Sequence, residues 1–209
     1  MKGLILKDLY MAKKYFRSFL LLIVLFLGMA LVDQGNLFFV FYPCLLSGMI
    51  PVTLLAYDEQ AKWDVYAGTL PVTRAQVVSA KYLIGLMAQF AVILLVAVTQ
   101  GIRNVFTHWL PWGEYLDMMY MLVFISGFAS SITLPFMFKL GVEKGRMAYY
   151  VMIGVVAGGS AMLSGVFAEQ GGAMQLPTLL PPVMALAGLG IVALSWRLSI
   201  RFYEKRELH

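Results

Sequence analysis

Charge is scarce in this chain, and cysteine scarcer. Only 13% of the 209 residues are Asp, Glu, Lys or Arg, against 61% hydrophobic, a balance outside that of soluble domains and characteristic of an integral membrane protein. The single cysteine, Cys44, excludes an intrachain disulfide framework and a thiol-rich metal site, and reads as a small buried apolar residue. Two histidines, His108 and His209, stand too far apart to suggest a metal centre, so none is expected. No G-x-x-x-x-G-K-[ST] occurs, and each polar loop is far too small for a nucleotide-binding domain, so the chain is expected to bind no nucleotide itself. The long apolar runs contain no Asp, Glu, Lys, Arg or His, which argues against a proton-coupled carrier and leaves no acid–base pair for an intramembrane hydrolase.

What is present is a set of six apolar runs long enough to cross a hydrocarbon core of roughly 30 Å as helices. The first uncharged run is Phe19–Val32, completed backward through Phe16, and the resulting spans cover about residues 16–32, 37–57, 82–99, 118–138, 147–167 and 179–196, which predicts a single all-α membrane domain over 1–209. Basic residues near span ends are retained in the cytoplasm. Of the 16 Lys and Arg, only Arg103 falls on the other face, so both termini are expected to be cytoplasmic. The +5 net charge then follows from topology and is not a nucleic-acid footprint. The first apolar run starts after Arg17 and lacks a small-residue cleavage pattern, so it is expected to stay as an anchor.

Residues 2–17 read as an interfacial amphipathic helix. At 100° per residue Leu4, Ile5, Met11, Ala12, Tyr15 and Phe16 share one face and Lys2, Lys7, Lys13, Lys14 and Arg17 the other, with Leu6 and Asp8 out of place. Such a helix is expected to lie with its apolar side among acyl chains and its cations near anionic lipid; a plain positive topology signal is the alternative.

The polar stretch DEQAKWDVYAGTLPVTRAQVVSAKYL, Asp58 to Leu83, separates the second and third runs. Asp58 and Glu59 are expected to form the acidic first turn of a short helix through about Tyr66, ended by Gly68 in a left-handed conformation. Pro71 breaks the chain, and Thr73-Arg74-Ala75-Gln76 is a capping box that starts a helix running into the third span. Trp63 and Tyr66, one turn apart beside Leu70 and Pro71, either lie back on the lipid interface or fill a socket on a partner.

The spans add further signals. Gly154 and Gly158, Ser126 and Ser130, Gly127 and Ser131, and Ser160 and Ser164 are small residues four apart that permit close helix approach, within the chain or at a moving subunit interface. Pro43 and Pro51 are expected to bend the second span, as static kinks or as part of a changing cavity. Phe38, Phe39, Phe41 and Tyr42 cluster near the outer half of that span, facing lipid or lining an apolar pathway that also includes Ser47 and Met49. Trp109, Trp112 and Tyr115 read as an interfacial belt on a short outer helix.

MKGLILKDLYMAKK, the six runs and above all W-D-x-Y-x-x-T-L-P-V-T-R from Trp63 to Arg74, followed by Lys81-Tyr82, resemble the ABC-2 type permease subunits of bacterial ABC exporters, over essentially the whole chain. Within that family the chain is most similar to permeases of exporters of phenol-soluble modulins, which are amphipathic helical peptides. The resemblance implies a bacterial plasma-membrane protein, with residues 2–17 as an elbow helix and 58–82 as a coupling segment. Glu59, Trp63, Tyr66, Thr69, Leu70, Pro71, Val72, Thr73, Arg74 and Gln76 would meet a separate ATPase subunit, present in two copies and carrying the ATP and Mg2+. Lys139, Glu143 and Lys144 in KLGVEKGR would make a lesser contact. A second permease copy or a related chain would complete the pathway. A non-transporting sensor or immunity protein, binding peptides and a cytoplasmic partner, is the competing reading from another class.

Overall fold

The structure, a computed structural model, describes residues 2–32, 37–145 and 179–205, together with Met147, Tyr150, Val151 and Gly154. Among the described residues it is helical without strands, in the order α1 (Lys2–Val32), α2 (Phe38–Gly48), α3 (Ile50–Gln60), α4 (Trp63–Ala67), α5 (Arg74–Thr107), α6 (Trp112–Leu140) and α7 (Leu180–Lys205). Among the described residues four stretches are long and apolar enough to cross a membrane: Phe38–Gln60, Arg74–Thr107, Trp112–Leu140 and Leu180–Lys205. A fifth is formed if the two limbs of α1, Gly3–Lys13 and Arg17–Val32, bent by 61°, are taken as one span. The run predicted at 147–167 lies almost wholly outside the described residues.

The logic of the bundle is clearest on α5, where the usual distribution is inverted. Its outer stripe is apolar, with Met87, Phe90, Leu94, Val98, Ile102 and Val105 each at least half exposed, while the buried face carries Gln89, Gln100, Arg103 and Asn104 among its valines. A helix that turns apolar side chains outward and polar ones inward is solvated by lipid. At about 1.5 Å per residue the 34 residues of α5 span about 51 Å, so the helix overshoots a hydrocarbon core.

Neutral hydrogen bonds hold the middle of the bundle. Gln89 Nε2 donates to Ser126 O at 2.8 Å and to Ser130 Oγ at 3.0 Å. Pro135 interrupts α6 and cannot donate to the carbonyl of residue 131. Ser195 Oγ of α7 donates to that same Ser131 O at 2.6 Å, so the proline's missing bond is replaced from the neighbouring helix. With the Ser195 hydrogen committed there, Tyr82 OH donates to Ser195 Oγ and Ser199 Oγ donates to Tyr82 OH, both at 2.7 Å. The Tyr82 ring stacks on Trp196 at 5.6 Å, whose Nε1 donates to Ser79 Oγ at 3.1 Å.

Small residues set the closest approaches. A Cβ on Gly127 would lie 3.1 Å from Val192 Cγ2, and one on Gly188 would lie 3.2 Å from Phe124 Cα. The spacing of Gly127 and Ser131 therefore serves packing of α6 on α7 within the chain. Gly85 does the same for α5 on α3, since its Cβ would lie 3.0 Å from Pro51 Cγ. Pro51 occupies the first turn of α3, after the break at Met49, and so starts that helix without costing it a hydrogen bond.

Several expectations need correction. The apolar face of the N-terminal segment packs on protein: Leu4 is buried with Val52, Val78 and Tyr203, and Ile5, Met11 and Ala12 pack on Ile50, Leu54 and Ile84. Leu6, Leu9 and Tyr10 are the exposed apolar residues instead. The expected short outer helix does not form as such. α5 continues to Thr107 and α6 begins at Trp112, so the connection is only His108–Pro111, and Trp112 and Tyr115 belong to α6. His108 makes the turn at φ 46°, and Asn104 Oδ1 accepts from the Leu110 N–H at 2.8 Å.

Candidate functional site

The polar segment between α3 and α5 is a compact hairpin at one end of the bundle. Asp58 and Glu59 do not open its helix as expected. They form the last turn of α3, because Asp58 is drawn into a buried ionic contact with Lys81 Nζ at 2.6 Å and so keeps the chain helical beyond the apolar run. Lys62 then turns the chain at φ 51°, and α4 starts at Trp63. Gly68 has no positive φ, so the left-handed residue is Lys62 and not the glycine.

Past α4 the segment is fixed by local bonds. Thr69 Oγ1 donates to Tyr66 O at 2.8 Å. The Val72 N–H donates to Leu70 O at 2.7 Å across Pro71, a three-residue turn that suits the fixed φ of proline. Thr73 then caps α5 as expected: its side chain accepts from the Gln76 N–H and Gln76 Oε1 accepts from the Thr73 N–H, both at 3.3 Å.

Two kinds of surface result. Val65 and Tyr66 on α4 are 58% and 56% exposed, with Pro71, Thr69 and Thr73 also exposed. Trp63, Leu70 and Val72 are half-buried, and Trp63 and Val72 pack against the core beneath. The Trp63 ring sits 5.3 Å from that of Tyr66 and under Lys7 Nζ at 3.9 Å. Arg74 turns away from the tip. Its Nη1 donates to Glu204 O at 2.7 Å and Tyr203 O at 3.3 Å, two carbonyls in the last turn of α7, where the helix dipole favours a cation.

The second loop comes to the same end. Gly141 leaves α6 at φ 85°, and the Val142 N–H donates to Glu59 Oε2 at 2.7 Å. Between the two loops lies a cavity of about 330 Å³ lined by Glu59, Gln60, Val142, Glu143 and Lys144 among others. Lys139 Nζ lies 5.2 Å above the Phe202 ring. Glu59 and Gln60 at the end of α3 and residues 140–144 after α6, far apart in the chain, thus line one cavity.

The family model described as ABC-2 family transporter protein matches residues 3–204. The chain belongs to this ABC-2 transporter family. It is accordingly a multi-pass protein of the bacterial plasma membrane, a permease that works with an ABC ATPase subunit. No curated protein and no solved structure matches it.

The other residues singled out in this ABC-2 permease fall elsewhere. Phe38 is exposed and Phe39 and Tyr42 half-buried, and all three gather around Phe26 of α1, the nearest ring being Tyr42 at 4.4 Å. Ser47 is buried and donates to Cys44 O at 2.7 Å within its own helix; Met49 is half-buried at the break between α2 and α3. Cys44 is fully buried, in keeping with its apolar reading. A Cβ on Gly154 would meet nothing within 4 Å among the described residues, and Gly158 lies outside them.

Sequence reasoning missed the charges at the root of the hairpin. Asp8 and Lys81 are 2% and 1% exposed and bonded to each other at 2.8 Å. Asp8 was the residue that spoiled the apolar face of the N-terminal helix, and that misfit was the available signal.

Proposed function

We propose that this chain is the transmembrane subunit of an ATP-driven exporter, in which the joined face of residues 59–76 and 139–144 docks on the ATPase. The carrying observation is the contact of Glu59 with Val142, which makes one surface of two loops on the end where the N-terminal limb, the hairpin and the C-terminal turn of α7 meet. The distribution of Lys and Arg supports a cytoplasmic location for that end and for both termini. Val65 and Tyr66 supply the apolar tip that fits a socket, and the bonds of Thr69, Val72 and Thr73 give it the stiffness to pass on a displacement. Six spans per chain and two chains complete the pathway. Each pair of chains binds two ATPase subunits, which carry ATP and Mg2+.

The cargo is an amphipathic or hydrophobic molecule, and an amphipathic peptide of the phenol-soluble modulin type is the best fit. Phe26, Phe38, Phe39 and Tyr42 offer it aromatic surface without charge, which a small hydrophilic ion could not use.

A double substitution, Val65→Asp with Tyr66→Ala, tests the docking face, because both side chains are exposed and neither supports the core. Affinity purification of the unmodified chain from its native membrane should retain an ATPase with a G-x-x-x-x-G-K-[ST] motif, identified by mass spectrometry. The double variant should insert normally and lose that subunit. Retention of the ATPase at full yield would overturn the assignment. Uptake of a labelled amphipathic peptide into inverted vesicles on addition of ATP tests the cargo, and uptake of hydrophobic drugs but not peptide would replace it.

A further inference from the structure

Four charged side chains from three helical elements meet at one point beneath the hairpin. Lys81 Nζ, two turns into α5, lies 2.8 Å from Asp8 Oδ1 of α1 and 2.6 Å from Asp58 Oδ2 at the end of α3. Lys7 Nζ lies 2.8 Å from Asp58 Oδ1 and 3.2 Å from Asp8 Oδ1. The side chains of Lys81, Asp8 and Asp58 are 1%, 3% and 3% exposed and that of Lys7 is 23%. Two cations and two anions leave the group neutral.

Cohesion alone does not account for charge at this place. Well-packed apolar residues of similar volume hold a buried contact as firmly as an ion pair, because the desolvation of the charges offsets their attraction. What the pairs add is register. Helices joined by Leu4, Val52 and Val78 could slide over one another and still pack, whereas Lys81 shifted by one helical turn, about 5.4 Å, would lose both carboxylates and leave buried charges unpaired.

We propose that Lys7, Asp8, Asp58 and Lys81 form a rigid joint that makes the first limb of α1 move as one body with the hairpin. Asp58 and Lys81 stand at the two roots of the hairpin, and Asp8 ties those roots to α1. Lys7 extends the joint to α4 through its position 3.9 Å above the Trp63 ring. A displacement of the hairpin is then carried into Gly3–Lys13 and, through the 61° bend, to Arg17–Val32. The inference rests on the hairpin being the ATPase contact and deepens that reading by naming where the motion goes next.

The test uses the full permease–ATPase complex. Asp8→Leu, Asp58→Leu and Lys81→Met together replace the buried charges with apolar volume. The variant should assemble, keep its ATPase and hydrolyse ATP, while transport per ATP falls about tenfold, the size of a typical coupling between sites. Unchanged transport per ATP would overturn the joint. A second measurement leaves the four residues intact: spin labels at Tyr10→Cys and Gln60→Cys, both exposed, in a Cys44→Ala background. The distance between them should stay constant on ATP binding while Gln60 moves relative to a labelled ATPase. A change in the Tyr10–Gln60 distance would overturn the joint even if the triple variant fails to fold. Absence of any ATPase on the unmodified chain would overturn the docking face itself, a result visible before either experiment.

Discussion

At the hairpin end four charges neutralise one another across α1, α3 and α5, whereas at the opposite end the described contacts of one guanidinium, Arg103, include a backbone carbonyl and an aromatic face. Arg103 Nη1 donates to Ala30 O at 2.7 Å and its Cζ lies 4.3 Å from the Trp109 ring centroid. Ala30 is in the last turn of α1, where the helix dipole favours a cation. The Ala30 carbonyl is an acceptor of the kind that any helix terminus supplies. The hairpin end depends on particular residues of both signs, from segments far apart in sequence. Loss of one member should therefore cost more there, and the cost should be recoverable only by changing its partners as well.

Thermal unfolding of the purified protein in detergent can break or sharpen that contrast. Lys81→Met should have the largest effect, about 3 kcal/mol, the lower end for breaking a buried pair because Lys7 still reaches both carboxylates. Adding Asp8→Leu and Asp58→Leu to Lys81→Met should restore most of the lost stability; if the triple variant is as unstable as the single, unpaired charge is not the cause. Arg103→Met should cost about 2 kcal/mol, as expected for a hydrogen bond from a charged group, and Arg103→Lys should recover part of it. A loss at Arg103 that exceeded the loss at Lys81 would invert the comparison. Thr73→Ala, which removes a helix cap without touching buried charge, should cost about 1 kcal/mol. Gln89→Leu, in the neutral middle, should cost least, about 0.6 kcal/mol, the average for polar contacts between membrane helices.

Much of the architecture was legible because membrane solvation writes long-range features into local composition. Phe38–Gln60, Arg74–Thr107, Trp112–Leu140 and Leu180–Lys205 each cover all but at most one residue of an expected apolar run, and the Thr73–Gln76 cap was readable because its two partners are three residues apart. What could not be read locally depended on distant partners. A helical wheel placed Asp8 as an error because it contains no information about Lys81, 73 residues away. The end of α3 was misplaced for the same reason, since Asp58 looks like a helix start until its buried partner is known. Arg74 was expected on the docking face, yet its fork reaches α7 across 130 residues. Connections at the other end were misjudged by length, because apolar content falls before the helix does: α5 runs on through Gln100, Arg103 and Asn104, which face inward.

The 2.6 Å contact between Asp58 and Lys81 also closes the neck of the intervening loop. A loop whose ends are clamped together behaves as a cassette, and its contents can change with little effect on the frame that holds it. The exposed residues of that stretch, Val65, Tyr66, Thr69 and Pro71, are in that sense free to drift toward the shape of a partner while Trp63 and Val72 stay packed on the bundle. Grafting those exposed positions from a related permease, with Asp58, Trp63, Val72 and Lys81 retained, would be expected to change what the hairpin of this chain grips without rebuilding the bundle.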